Sequence, residues 1–201
     1  MRVGKVVLAG IALATCVALA APALAQKSGK PPTAAETTMY ERYAELKKDP
    51  AFQAKLKEPA QRIHDLDWML GDWTSEAVVY ATKTTPEWRD TSRTSFRMVG
   101  DAVIASDDLS TLLDWDPFAQ RWRSFGAEPP VSPLASSVGD MQNGTLVLEG
   151  DLRLFGEPFH LRQTITRDGA DAFNIVNEQR LASGRYQAVD AYRYTRAATR
   201  N

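Results

Sequence analysis

The sequence predicts a mainly β protein, an antiparallel barrel of about eight to ten strands with an N-terminal helical extension. From residue 68 onward, short runs of alternating apolar and polar residues are separated by turn-forming pairs at intervals of about eight to twelve positions. Nearly every connection is short, so successive strands are expected to pair as antiparallel neighbours. A sheet of this size leaves exposed edges unless it closes on itself, which favours a barrel.

The barrel is expected to begin at the segment Trp68-Met69-Leu70-Gly71-Asp72-Trp73. Gly71 permits a tight backbone at the entry to the first strand. The large ring of Trp73 is expected to plug the closed end of the barrel.

The predicted strands cover residues 74–82, 87–99, 102–106, 110–115, 121–127, 134–142, 145–151, 157–166, 172–181 and 186–196. Asn143-Gly144 is the strongest turn signal among the connections, because both central positions of a tight hairpin turn need positive φ.

The first residues are typical of a signal peptide. Arg2 and Lys5 precede an apolar run, and Ala23-Leu24-Ala25 is a small-x-small cleavage site. We therefore expect a periplasmic or secreted protein. The apolar run is too short and too rich in Ala for a span of about 20 residues, so no stable membrane span is expected after cleavage. Cleavage also removes Cys16, the only cysteine, and with it any disulfide or thiolate site.

The predicted domain organisation has four parts: a signal peptide (1–25), a flexible leader (26–36), a helical extension (37–65) and a β-barrel domain (66–196).

Two helices are predicted in the extension. Thr38 and Glu41 have the spacing of a capping box, and Asp49 followed by Pro50 is a typical start for the second helix. Pro59 is expected to break or kink that second helix.

Composition excludes several classes of function. The chain has 24 basic and 25 acidic residues, a net charge of −1, which provides no basic patch for nucleic acid. Phosphate-binding glycine loops and the Gly-x-Ser-x-Gly context of serine hydrolases are absent from the sequence. No catalytic residue, metal site or cofactor is predicted, and His160 lies on the polar parity of its strand, which argues against a haem ligand.

Several segments in the same order and spacing resemble the DUF1579 family of bacterial proteins of unknown function. They are Trp68-Met69-Leu70-Gly71-Asp72-Trp73, Leu113-Asp114-Trp115-Asp116-Pro117, Arg121-Trp122, Phe159-His160-Leu161-Arg162 and Ala191-Tyr192-Arg193-Tyr194-Thr195-Arg196. The resemblance covers about residues 66–196. It implies a lipocalin-like or calycin-like barrel, often exported, with no established activity. In lipocalin-like barrels an Arg of the last strand lies across the Trp at the closed end; Arg193 and Arg196 are the candidates.

Strand alternation divides the last strands into two faces, and the sequence leaves open which one points inward. One parity, with Trp73 near the floor, gives a tentative ligand site of apolar and amide side chains: Gln163, Phe173, Ile175, Asn177 and Gln179. The other parity gives an alternative polar site of His160, Arg162 and Glu178.

Three functions are compatible with these patterns. The first is non-enzymatic binding of a small apolar or amphipathic molecule in the barrel. The second is an enzyme acting on a small molecule through Arg162, Glu178 and His160. The third is a protein–protein interaction module of the cell envelope that uses the helical extension. The sequence makes no prediction of oligomeric state.

Overall fold

A computed structural model describes residues 38–106, 110–128, 132–154 and 156–198 of the protein. Two short helices and a 3-10 helix precede a closed antiparallel barrel of ten strands. The predicted fold class is confirmed. The predicted signal peptide and flexible leader lie outside the described residues.

The helices are α1 (Met39–Leu46) and α2 (Pro50–Arg62), followed by the 3-10 helix Ile63–Met69. The strands are β1 (Gly71–Val79), β2 (Trp88–Val99), β3 (Ala102–Ser106), β4 (Ser110–Asp116), β5 (Arg121–Glu128), β6 (Ser132–Gln142), β7 (Thr145–Leu154), β8 (Glu157–Arg167), β9 (Ala172–Arg180) and β10 (Tyr186–Arg196).

Each strand pairs with the next one along the chain, and β1 pairs with β10 to close the sheet. The predicted tight turn between β6 and β7 is confirmed, because φ is 51° at Asn143 and 78° at Gly144. All ten predicted strands are present, and every end lies within three residues of its predicted position. The largest differences are three residues: β1 spans Gly71–Val79 rather than 74–82, and β7 ends at Leu154 rather than residue 151.

The capping predictions for both helices are confirmed. Thr38 and Glu41 form a reciprocal capping box at α1, and the Asp49 side chain accepts a hydrogen bond from the Ala51 amide at the start of α2. The predicted break at Pro59 is wrong, because α2 continues to Arg62. Proline at this position removes one backbone hydrogen bond, and the packing of α2 against the barrel outweighs that loss.

Helix α2 is held against the turn between β4 and β5. Lys55 Nζ donates to the Pro117 carbonyl at 2.8 Å, and Gln120 Nε2 donates to Glu58 Oε2 at 2.6 Å. The Arg62 guanidinium lies 4.6 Å from the centroid of the Trp115 ring. These contacts fix the direction in which the chain enters the 3-10 helix.

The 3-10 helix closes one end of the barrel. Its side chains Ile63, Leu66 and Met69 are buried against the core, next to the indole of Trp73. The indole is 1% exposed, and its Nε1 donates to the Met69 carbonyl at 2.7 Å. Trp73 is therefore the plug that the sequence predicts.

Arg196, and not Arg193, covers this plug. Trp73 and Arg196 are directly opposite in the β1–β10 pair, so their side chains share a face, and the guanidinium lies 4.0 Å from the centroid of the Trp73 ring. The same guanidinium donates to the Leu70 carbonyl and, at 3.1 Å, to the Trp68 carbonyl. Arg193 lies on the outside and pairs with Asp168 at 2.9 Å. Arg196 thus joins the first strand, the last strand and the 3-10 helix.

Two glycines allow β6 and β7 to approach closely. A Cβ built at Gly139 would lie 1.7 Å from the Val147 carbonyl oxygen, and one at Gly150 would lie 2.1 Å from the Ser136 carbonyl oxygen. Both partners are backbone atoms of the neighbouring strand, so the clash is not relieved by a rotamer change. The two positions therefore exclude any larger residue without a shift of the sheet.

We expect Arg196→Ala to lower the free energy of unfolding by about 2 kcal/mol, because it removes a cation–π contact and two hydrogen bonds to carbonyls at the barrel end. Urea denaturation measures the change. Arg193→Ala is the matched control from the same strand, and its expected effect is below about 0.5 kcal/mol because its ion pair is exposed. Equal losses in both variants would contradict the special role of Arg196.

We expect Gly139→Ala to destabilise the protein by at least about 2 kcal/mol through its clash with β7. Gly126→Ala is the control, since its Cβ would lie 3.8 Å from Thr111 Oγ1, an ordinary contact. The control is expected to change the stability by less than about 1 kcal/mol. Thermal unfolding followed by circular dichroism compares the two, and a Gly139→Ala protein as stable as the control would refute the close approach.

Candidate functional site

The burial of individual residues shows which face of the last three strands points into the barrel. Ile165, Phe173 and Ile175 are 1%, 0% and 8% exposed, so their face points into the barrel. Gln163 is opposite Asn177 in the β8–β9 pair and lies on this same face. The inner wall is therefore apolar toward the closed end and carries amides farther along the strands.

A cavity of about 100 Å³ remains inside the barrel. Its lining is formed by one residue of the 3-10 helix and by side chains of β2, β3, β4, β8, β9 and β10: Met69, Phe96, Ala105, Thr111, Leu113, Gln163, Ile165, Ile175, Asn177, Tyr192 and Tyr194. Apolar groups dominate the lining, and a few groups that form hydrogen bonds interrupt it, which is the usual composition of a small-molecule site.

Two amides of the lining, Gln163 and Asn177, belong to an ordered chain of hydrogen bonds that also includes Asp190, a residue outside the lining. Gln163 Nε2 donates to Asn177 Oδ1 at 3.1 Å, and Asn177 Nδ2 donates to Asp190 Oδ1 at 2.7 Å. The carboxylate accepts hydrogen bonds only, so it fixes the orientation of the Asn177 amide, which in turn fixes that of Gln163. This chain leaves Gln163 Oε1 and one N–H of each amide for a molecule in the cavity.

The floor of the cavity is an aromatic stack. The rings of Phe173 and Tyr194 lie parallel, with centroids 4.4 Å apart and planes at 6°, and Trp73 meets Phe173 edge-on at 4.8 Å. Phe96 also meets Phe173 edge-on, at 5.6 Å. Phe173 and Tyr194 are 0% and 6% exposed, so the stack is part of the buried core toward the closed end.

The tentative ligand residues thus divide into three groups. Gln163, Ile175 and Asn177 line the cavity together. Trp73 and Phe173 lie in the floor below it. Gln179 lies farther along β9, opposite Leu161 and Gln187, and the cavity lining does not include it.

Sequence reasoning missed Asp190 and Tyr192. Both residues alternate with Tyr194 along β10, so strand alternation predicts that they lie on the same face as Tyr194. This alternation does not extend to the residues before Asp190, because a β-bulge shifts the register between Ala188 and Asp190.

The alternative polar site lies on the outer face. Arg162 Nε donates to Glu178 Oε2 at 2.8 Å, and its guanidinium stacks 3.8 Å from the centroid of the Tyr186 ring. The side chains of Arg162 and Glu178 are 31% and 22% exposed. Burial and a hydrogen bond with Glu149 raise the pKa of the Tyr186 phenol. The arrangement joins β7, β8, β9 and β10 by charge and stacking on the outside of the barrel.

His160 belongs to the same outer network. Its Nδ1 lies 2.8 Å from Asp151 Oδ1, and its Nε2 lies 3.7 Å from Glu149 Oε2. Among the described residues no group of three or more His, Cys, Asp and Glu side chains is arranged to hold a metal ion. In the same part of the chain, no helix has the length and apolar character needed to cross a bilayer.

No protein-family model and no curated protein matches this chain. The resemblance to the DUF1579 family therefore stays a prediction from the residues quoted above.

We expect Asn177→Ala to lower the free energy of unfolding by about 1–3 kcal/mol, because it removes the middle of the chain and leaves Gln163 and Asp190 without that partner. Asn174→Ala is the control from the outer face of the same strand, where the amide accepts from Arg193 Nη1 at 3.3 Å. The expected change for the control is below about 0.5 kcal/mol. Urea denaturation of both variants tests the difference, and an Asn177→Ala protein that is no less stable than the control would contradict the inner network.

Proposed function

We propose that this protein is an exported barrel that binds a small, partly apolar molecule in its interior without transforming it. One observation supports the proposal above the others: the closed barrel keeps a cavity whose apolar lining is interrupted by oriented amides. Export is supported by the signal-like residues at the N-terminus. The DUF1579 resemblance adds the expectation of a lipocalin-like or calycin-like barrel that is often exported.

The cavity offers a ligand both contacts and hydrogen bonds. A molecule that fits the cavity makes dispersion contacts with its apolar wall and provides hydrogen-bond partners for the amides of Gln163 and Asn177. A barrel with only a structural role would gain stability from larger side chains at Ala105 or Thr111, which both line the cavity.

The volume limits the size of the ligand. An apolar cavity of about 150 Å³ holds one benzene molecule. The cavity here is about two thirds of that volume, so it suits a compact molecule or one end of a longer one that extends toward the open end. The amides of Gln163 and Asn177 would orient the polar group of such a molecule.

The enzyme alternative would place chemistry at His160, Arg162 and Glu178. These side chains lie on the outer face, on the opposite side of the sheet from the cavity. The geometry therefore favours binding inside the barrel over catalysis by this set.

Native mass spectrometry of the protein, purified from the compartment in which it occurs, tests whether a small molecule co-purifies with it. A defined recombinant test uses 3-methylbutan-1-ol as the probe, because its small branched end suits the cavity while its hydroxyl points toward the open end. We expect Ala105→Leu to fill the cavity and to weaken binding of this alcohol about tenfold or more, measured by isothermal titration calorimetry or ligand-observed NMR.

Ala102→Leu is the matched control on the outer face of β3, and it is expected to leave the affinity unchanged. An apo mass together with no binding of 3-methylbutan-1-ol to the wild-type protein would overturn the proposal. Equal binding to the wild-type and Ala105→Leu proteins would place the probe elsewhere and would also count against it.

A further inference from the structure

The inner wall on the mouth side of the cavity carries negative charge. Asp190 is directly opposite Val79 and Asn177, on the face that points into the barrel. It lies two residues before Tyr192 on β10 and accepts a hydrogen bond from Asn177, and both of these residues line the cavity. A second carboxylate, Asp90, has the same inner parity on β2, opposite Ala77, and is exposed at the rim.

The basic side chains of the strands lie mainly on the other face of the sheet, outside the barrel. Among the described residues of the ten strands, the basic side chains alternate onto the outer face, except for Arg167 and Arg196. Those two lie at the closed end, and Arg196 is occupied with the plug and the carbonyls beneath it. The described wall therefore presents carboxylates to a ligand on its mouth side and no guanidinium.

One aromatic residue, Tyr192, lies two residues from Asp190 on the same face of β10, and further rings follow toward the closed end. Tyr192 and Tyr194 lie with ring centroids 6.4 Å apart, and Phe96 lies 5.7 Å from Tyr194. Aromatic faces attract cations, so a cavity that combines these rings with a carboxylate at its mouth side favours a cation over an anion. An anionic ligand would instead meet the repulsion of Asp190 in a site of low dielectric.

We infer that the ligand of this barrel is a small organic cation: an amine with a compact apolar body. Its ammonium group pairs with Asp190 and donates to Gln163 Oε1, and its apolar body lies against Phe96, Leu113 and Ile175. This inference rests on the proposed function, since it names the chemical class that the same cavity binds.

Three probes that share the 3-methylbutyl group test the charge preference at pH 7: 3-methylbutylamine, 3-methylbutan-1-ol and 4-methylpentanoate. Isothermal titration calorimetry or ligand-observed NMR gives their affinities for the wild-type protein. We expect the amine to bind about tenfold or more tightly than the alcohol, and the carboxylate to bind most weakly.

Two carboxylate-to-amide variants locate the effect. Asp190→Asn is expected to reduce the preference for the amine over the alcohol to about threefold or less. Glu178→Gln, on the outer face, is expected to keep the wild-type preference, because its carboxylate pairs with Arg162 outside the barrel.

The outcomes separate this inference from the proposed function. If the alcohol or the carboxylate binds as tightly as the amine to the wild-type protein, the inference is overturned while binding in the barrel stands. If Asp190→Asn keeps the full preference, the cation lies elsewhere and the inference is overturned as well. If none of the three probes binds, both fail. The wild-type series decides the charge preference even if Asp190→Asn does not fold.

Discussion

The structure depends on one contact: the guanidinium of Arg196 lying over the indole of Trp73. The two residues are paired across β1 and β10, which are the first and last strands of the chain, so the contact lies at the seam where the sheet closes. The same guanidinium bonds to carbonyls that precede β1, and the indole donates to the Met69 carbonyl. A single cation therefore stabilises the seam and the end cap together, in a chain that is expected to have no disulfide to do so.

Closure also explains where the cavity lies. The plug and the stack of Phe173 on Tyr194 fill the barrel at the capped end, while farther along smaller side chains such as Ala105 and Thr111 leave space. The sheet separates two electrostatic environments. The outside carries ion pairs such as Arg162 with Glu178, and the inside carries the hydrogen-bonded side chains Gln163, Asn177 and Asp190. The polar groups of the proposed binding site thus lie on the face with less solvent, where hydrogen bonds and charge contribute more free energy.

Much of this fold is predictable from the sequence because the turns are explicit. Asn143-Gly144 and similar pairs mark the strand ends, and alternation marks the faces. The choice between Arg193 and Arg196 is not predictable, because it depends on the register of β10 against β1. These two strands are neighbours in the barrel, but eight other strands separate them in the sequence. Gln163, Ile175 and Asn177 follow from alternation, and so does the inner position of Asp190, whereas its hydrogen bond with Asn177 depends on how β9 pairs with β10. The need for glycine at positions 139 and 150 is not predictable from the sequence either, because it arises from the close approach of β6 and β7 in the folded sheet.

The central claim is that β1 and β10 form a permanent seam that closes the barrel around the cavity. Hydrogen exchange of individual backbone amides, followed by NMR, tests it most directly. In a closed barrel β1 and β10 each form backbone hydrogen bonds with a neighbouring strand on either side, and these bonds protect their amides. The account predicts that amides of β1 and β10 are protected to within about tenfold of those in β7 and β8, which lie in the wall away from the seam. Exchange of the β1–β10 amides near the rate of an unfolded chain, with β7 and β8 still protected, would contradict it.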